Sequence, residues 1–565
     1  MNLNPHQQAA VDAKGHCTIL ACPGSGKTTV IAHRAALLLN RQTAENMCAV
    51  TFTRAAAKEL RERIIQIAGR DDVRKRLAVG TFHSIALNQM KRMQIRMPRI
   101  LSENESQMIL RRCWTNCGSN YDFNEIAQKI GQYKSEINPV FQDPTIEDIY
   151  HTYNRTLSEE GVIDYADILR FSVQYMQEGR LPTLPIHWLL VDESQDMDEM
   201  QVEWVLKHGH QGIEVTIVGD DDQSLYGFRA ATGYEGMQRI TRELKSTIII
   251  LPINYRCRKN IVEHATKLIN HNTLREAKPI EAHDRRNGHI EVVRALDEWD
   301  EARRVAKTVK QYQDGKWGIL ARTNHQLDYV ELVLSHDNIP CHRYDTTGVW
   351  TRDIAAVYLG LLRLVVEGKC SEAQINQDTG FANLLHYCFN HRIDPGKQLA
   401  KSIPSLISTL REAMMYHEVK RYSMVMTGIY YWLINNTRIT QVQQEMLQYM
   451  CSILVQRKGS LAQRLQGVTG RGPDNHTDQI EARITLLTMH SAKGLEFEHV
   501  WILGCNEGQV PHLASPTEEE RRIFYVGMTR AKETLMISSS ISKGQETRFL
   551  NEAKLLSMSN QSVRT

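Results

Sequence analysis

The sequence predicts an α/β protein with two parallel-sheet cores, each interrupted by a helical insertion. Three observations carry the prediction. Short β-rich apolar runs alternate with helical stretches toward both ends of the chain, the pattern of strands joined by crossover helices. Between them, residues 86–183 and 367–480 have helix-type periodicity and few strand-like runs. The chain has 565 residues and 42% hydrophobic content, enough for several cores at about 150 residues per domain.

In chain order, strands are expected at Thr18–Leu20, Ala49–Phe52, Trp188–Val191, Val215–Val218 and Thr247–Leu251. A second set is expected at Trp317–Ala321, Ile484–Met489, Val500–Leu503 and Leu535–Ser538. Residues 1–85 and 184–253 then form the first core, with 86–183 as its insertion. Residues 254–366 and 481–565 form the second, with 367–480 inserted. The polar, turn-rich run GVTGRGPDNHTD at 467–478 reads as a loop returning to that core.

Charged residues at 24% and aromatics at 7% exclude collagen-like, coiled-coil and low-complexity classes. A balance of 68 Lys+Arg against 65 Asp+Glu, net +3, argues against coating nucleic acid by bulk charge. Locally the picture differs. Arg54 to Arg99 holds twelve basic and four acidic residues, a track suited to a phosphate backbone, although a solvated helical face is the ordinary reading of Arg70 to Arg76. Ile186 to Gly236 holds eleven acidic and two basic residues. No apolar run approaches the roughly 20 residues that span a bilayer, and the first residues lack the apolar stretch of a signal peptide. A soluble, cytoplasmic protein without a membrane partner is expected. The eleven cysteines are scattered with no CxxC pair, which points to reduced, packed thiols.

The chemistry begins at Ala21-Cys22-Pro23-Gly24-Ser25-Gly26-Lys27-Thr28-Thr29, between an expected strand and a helical pattern. That is the setting of a phosphate-binding loop. Gly24 and Gly26 let backbone N–H groups approach the phosphates, Lys27 reaches the β- and γ-phosphates, and the Thr28 hydroxyl suits Mg²⁺. Leu189-Leu190-Val191-Asp192-Glu193 brings two carboxylates to a strand end. Asp192 is placed to anchor Mg²⁺, and Glu193 to orient and deprotonate a water. A solvated acidic loop is the alternative for this pair taken alone.

Further motifs follow in one order: LNPHQ at the start, VTFTRAAAKEL (50–60), VGTFHS (79–84), VDESQD (191–196), VGDDDQSLYGFRA (218–230), NYR (254–256), TMHSAKGLEF (488–497) and EERRIFYVGMTRA (519–531). The series resembles the superfamily 1 DNA helicases of the UvrD/Rep/PcrA group over nearly the whole chain. The resemblance implies two RecA-like P-loop cores and an ATP- and Mg²⁺-dependent motor on single-stranded DNA with 3′ to 5′ polarity. It implies that Gln7 reads the adenine edge and Tyr255 stacks on the base. Gln223 and Arg256 would contact the γ-phosphate, Glu496 the ribose, and Arg530 would act as an arginine finger.

Phe52, Thr53, Arg54, Thr81, Phe82, His83, Tyr226, Phe228 and His490 are similar to the family's strand contacts. Aromatic and basic side chains together suit single strands, because stacking is indifferent to base identity. Single/double-strand junctions are the implied substrate, and a protein partner such as a nuclease or a repair or defence factor is compatible with it. Ala230 and Ala231 depart from the family's usual Gly and polar residue. The insertions look short, and the chain ends about 35 residues beyond Arg530, so no fused nuclease or long tail is expected. Two rivals follow. Gly161-Val-Ile-Asp164-Tyr165 superficially echoes a nuclease acidic motif, without the lysine and further acid such a site needs. A DNA-sensing ATPase subunit that switches a partner, without processive unwinding, is the other.

Overall fold

The computed structural model describes residues 3–42, 44–118, 121–225, 231–344, 348–369, 395–469 (395–403 as backbone only) and 483–556. The chain divides into two compact units: residues 1–287 with 515–525, and residues 288–514 with 526–565. Residues 254–287, expected with the second core, group with the first.

The first unit is built on six strands: β1 (Cys17–Ala21), β2 (Met47–Thr51), β3 (Leu77–Thr81), β4 (Trp188–Val191), β5 (Glu214–Gly219) and β6 (Thr247–Leu251). Their order across the sheet is β3-β2-β4-β5-β1-β6, and every pairing is parallel. Helices cover both faces of such a sheet, which is why CTILA, MCAVT and WLLV are continuous buried runs with no alternation. Three adjacent strands, β4, β5 and β1, end level with one another: Val191 pairs with Ile217, and Leu20 with Gly219. Their carboxyl ends hold the motifs described below, as expected where an open parallel sheet changes strand order.

The first insertion has a small core of its own, in which Leu110, Ile126, Ile149 and Tyr153 meet. Beside it lies a buried ion cluster. Lys134 Nζ is 2.6 Å from Asp164 and 2.9 Å from Asp167, and the Tyr153 hydroxyl donates to Asp164 at 3.0 Å. Asp164 of the nuclease-like segment, together with Asp167 just beyond it, is therefore committed to a lysine.

The second unit repeats the architecture with β7 (His289–Ala295), β8 (Trp317–Ala321), β9 (His342–Arg343), β10 (Ile484–Thr488), β11 (Phe497–Ile502) and β12 (Ala531–Ser540). Its order is β7-β12-β11-β8-β10-β9, again all parallel. The inserted helices Tyr422–Asn436 and Gln441–Gln456 share one apolar cluster with the core through Tyr358, Leu362, Ile429, Leu433, Met450 and Leu454. The expected α/β class with two parallel sheets is what the structure shows. Among the described residues no helix is long and apolar enough to cross a membrane, and none of the nine described cysteines is in a disulfide.

Candidate active site

The loop after β1 turns on two glycines in the left-handed region, Gly24 at φ 65° and Gly26 at φ 82°. Gly26 caps the helix Lys27–Arg41, so the helix N-terminus opens onto the loop with no side chain across it. Its unpaired N–H groups and dipole favour an anion there. The cradle is tight: a Cβ on Gly24 would lie 2.7 Å from Arg256 Cβ, and one on Gly26 would lie 3.0 Å from Gln7 Nε2. The buried Ser25 hydroxyl has no hydrogen-bond partner. Tyr255 N donates to Gly24 O at 3.0 Å, which fastens the NYR segment to the loop. Ala21, Cys22 and Pro23 are buried, while Thr28 and Thr29 are half-buried on the first helical turn.

Lys27 and Glu193 meet at 2.8 Å. Burial opposes the ammonium, but Glu193, Asp220 and Asp192 outweigh it and hold Lys27 charged. Glu193 itself sits in the left-handed region at φ 51°, unusual for a residue with a Cβ. The turn is held because Glu193 N donates to Asp192 Oδ1 at 3.0 Å. Asp192 is buried, and burial followed by the Glu193 charge pushes its carboxyl up to about 7, with Lys27 opposing. A hydroxyl from Thr28 and a carboxylate from Asp192 are hard oxygen donors of the kind Mg²⁺ takes, and a dication would favour the ionised carboxylate. The donor set fits the metal.

Gln223 is buried and donates to Asp220 Oδ2 at 2.5 Å. Gln195, which sequence reasoning did not assign, bridges the two motifs: its Nε2 donates to Glu193 Oε2 at 2.7 Å, and its Oε1 accepts from Asp220 N at 2.9 Å.

At the start of the chain, Asn4 and Gln7 form a reciprocal cap on the helix Pro5–Asp12. Gln7 Oε1 accepts from Asn4 N at 3.0 Å and its Nε2 donates to Ser25 O at 2.9 Å. One lone pair and one N–H remain, the pair needed to read an adenine edge. Tyr255 is 43% exposed; its hydroxyl accepts from Asn4 Nδ2 at 2.7 Å, and its ring lies 4.6 Å from that of His283. Arg34 fixes this helix from below. Fully buried, it donates to the carbonyls of Ala10, Val11 and Ala13 at 3.1, 3.3 and 2.7 Å and to Thr216 Oγ1 at 2.9 Å.

The residues expected to contact a DNA strand in the first unit lie after β2 and β3. Phe52 is half-buried, Thr53 caps the helix Arg54–Ala68, and Arg54 is exposed on its first turn. Thr81 caps the helix Phe82–Arg92, and His83 stacks on the exposed Tyr165 at 4.1 Å. Burial pushes the His83 imidazole down to about 4, with Asp164 opposing, so it is neutral near pH 7. Phe82 departs from expectation. At 2% exposed it is a core ring, edge-on to Phe52 at 5.9 Å and to Trp204 at 5.8 Å, so it supports Phe52 and offers no face to a base. Part of the basic track is likewise structural: Arg76 pairs with Asp72 at 2.7 Å and donates to the carbonyls of Leu39, Gln42 and Glu45. Tyr226 and Phe228 lie outside the described residues.

In the second unit, His490 is half-buried just after β10 and Glu496 is exposed, pairing with Lys532 at 3.0 Å. Arg530 is fully buried and donates to Val526 O, Leu495 O and Thr529 Oγ1 at 3.0, 3.2 and 3.2 Å.

Comparison with known proteins finds two family domains in chain order. The UvrD/REP helicase N-terminal domain matches residues 3–245, and the UvrD-like helicase C-terminal domain matches 249–375 and 431–542. The ATP-dependent DNA helicase Rep of Buchnera aphidicola subsp. Acyrthosiphon pisum is 27% identical over 630 residues, covering 98% of this chain and 97% of its own. The ATP-dependent DNA helicase PcrA of Staphylococcus epidermidis is 26% identical over 644 residues, covering 98% and 86%. DNA helicase II of Escherichia coli K12 is 28% identical over 622 residues, covering 95% and 84%. With both halves of the family matched in order, and with a glycine-rich loop, paired carboxylates and a glutamine gathered at the carboxyl ends of adjacent strands, the chain belongs to the UvrD/Rep helicase family.

Proposed function

We propose that the protein is an ATP-dependent DNA helicase that moves 3′ to 5′ along single-stranded DNA. The observation that carries the nucleotide half is the Lys27–Glu193 pair at the carboxyl ends of β1 and β4, beside a loop with room only for glycine. An incoming γ-phosphate would compete for the Lys27 ammonium, separating it from Glu193 and leaving that carboxylate to take a proton from water. Thr28 and Asp192 would hold Mg²⁺, which supplies charge neutralisation at the phosphates when bound. Gln7 and Tyr255 would hold the adenine. Gln223, Arg256 and Arg530 would stabilise charge that develops on the transferring phosphoryl group, and Glu496 would meet the ribose, roles that rest on the motifs in which they lie. Arg530 must exchange its present carbonyl partners to do so. Phe52, Thr53, Arg54, Thr81 and His83, with Tyr226, Phe228 and His490, form the proposed strand track.

The test combines ATPase with strand displacement on 3′-tailed, 5′-tailed and blunt duplexes. DNA-stimulated turnover with displacement only from the 3′ tail is expected, and loss of turnover in Lys27→Ala and Glu193→Gln. Wild-type turnover in either variant overturns the site. Stimulated hydrolysis without displacement favours instead the regulatory ATPase subunit.

A further inference from the structure

Asp220, Asp221 and Asp222 follow β5 in a single turn, and all three are fully buried. Three carboxylates this close would suit a cation, and the ammonium of Lys278 occupies that place. Its Nζ lies 2.8 Å from Asp220 and 3.1 Å from Asp222, and it also pairs with Asp221. Arg275 adds a two-pronged pair on Asp222 at 2.7 and 2.9 Å, and Glu276 N donates to Asp221 at 2.7 Å. Arg275 and Lys278 come from the segment after the helix Lys259–Ile269, outside every motif quoted above.

Both groups proposed to act on the attacking water and the γ-phosphate depend on Asp220. Gln223 is bonded to its carboxylate directly, and Glu193 reaches its backbone through Gln195. An Asp220 carboxylate left without its cation would be an uncompensated buried charge, which must turn away or take a proton. Either change alters the acceptor that aims the Gln223 amide.

We propose that Lys278 is a positioning residue for ATP hydrolysis: it holds the Asp220 carboxylate, which fixes the direction of the Gln223 side chain, without itself touching nucleotide. The proposal rests on the ATP-site reading given above. Lys278 then governs turnover and not nucleotide capture, because the loop, Gln7 and Tyr255 are held by other bonds.

The test uses the full chain. Lys278→Met is compared with wild type and with the double variant Lys278→Met/Asp221→Asn, which removes one carboxylate together with the ammonium and so keeps the buried charge balance. DNA-stimulated kcat and KM, affinity for a non-hydrolysable ATP analogue, and urea stability are measured. Both variants should lose about tenfold or more in kcat while KM and analogue affinity stay within about threefold, as misplacement of a catalytic group predicts. The double variant should regain stability and not turnover. Wild-type kcat in folded Lys278→Met, or recovery of stability and kcat together in the double variant, overturns the proposal and leaves Lys278 as charge balance only. Turnover in Glu193→Gln would instead overturn the site reading, whatever the Lys278 variants do.

Discussion

Replacing Gly24 with Ala separates two costs that the structure makes distinct. At φ 65° the added Cβ occupies the left-handed region, which costs an L-residue about 1–2 kcal/mol. It also meets Arg256 Cβ at 2.7 Å, where carbon atoms normally rest about 3.5–4.0 Å apart, so the NYR segment must retreat by roughly 1 Å. Gly69, at the end of the helix Arg54–Ala68, has the same φ of 65° with nothing within 4 Å of its Cβ position. Gly69→Ala is thus the control for backbone strain alone. Gly69→Ala should lose about 1–2 kcal/mol in urea unfolding of the first unit, and Gly24→Ala at least as much. Only Gly24→Ala should also lose ATPase, by up to about 100-fold for a 1 Å displacement of Arg256. Equal ATPase in the two variants would refute the claim that the loop and the NYR segment fix each other.

Two further outcomes are expected. Arg34→Met removes a buried charge from three helix-end carbonyls and should destabilise the first unit by about 3–5 kcal/mol in urea, with a loss of ATP-over-GTP preference as Gln7 loosens. Glu301 is fully buried in the second unit, where it accepts from Gly504 N and Ser538; burial pushes its carboxyl up to about 7 against those bonds. An acid whose folded value lies above its unfolded one binds more protons folded than unfolded. Stability should therefore fall as pH rises from about 4.5 to 7, by on the order of 3 kcal/mol at 1.36 kcal/mol per unit. Urea titrations at several pH values should show that slope in wild type and a shallower one in Glu301→Gln, since Asp192 contributes with the same sign.

Much of the site is legible in the sequence because it is local. A glycine-rich loop after an apolar run, or two acids at the end of WLLV, needs only a few neighbouring residues to be read. Ties made across long separations leave no such trace: Lys278 reaches Asp220, Arg34 reaches Ala10 and Thr216, and nothing beside either basic residue announces a partner. Residues 254–287 group with the first unit through ties of the same kind, Tyr255 to Gly24 and Lys278 to Asp220. Strand β3 escapes notice because LAVGT follows the basic run VRKR and contains a glycine. Strand β7 lies at a sheet edge, where HIEVVRA is only partly buried. Phe82 shows the opposite error, since its neighbours Thr81 and His83 are half-buried while the first helical turn places its own ring fully in the core.

The pairing of residues 515–525 with the first unit has a consequence during synthesis. Glu518 accepts from Thr273 N and Oγ1 at 2.8 Å, and Arg521 donates to Asn272 at 2.6 Å, so part of this unit is supplied by a segment made long after residue 287. At ~5–20 residues per second, a ribosome needs roughly 10–50 s to bridge that gap. Throughout that interval the segment around Asn272 waits for its partners, while the intervening residues emerge and begin folding. The order in which the unit closes is thus set by the translating ribosome as well as by its own packing.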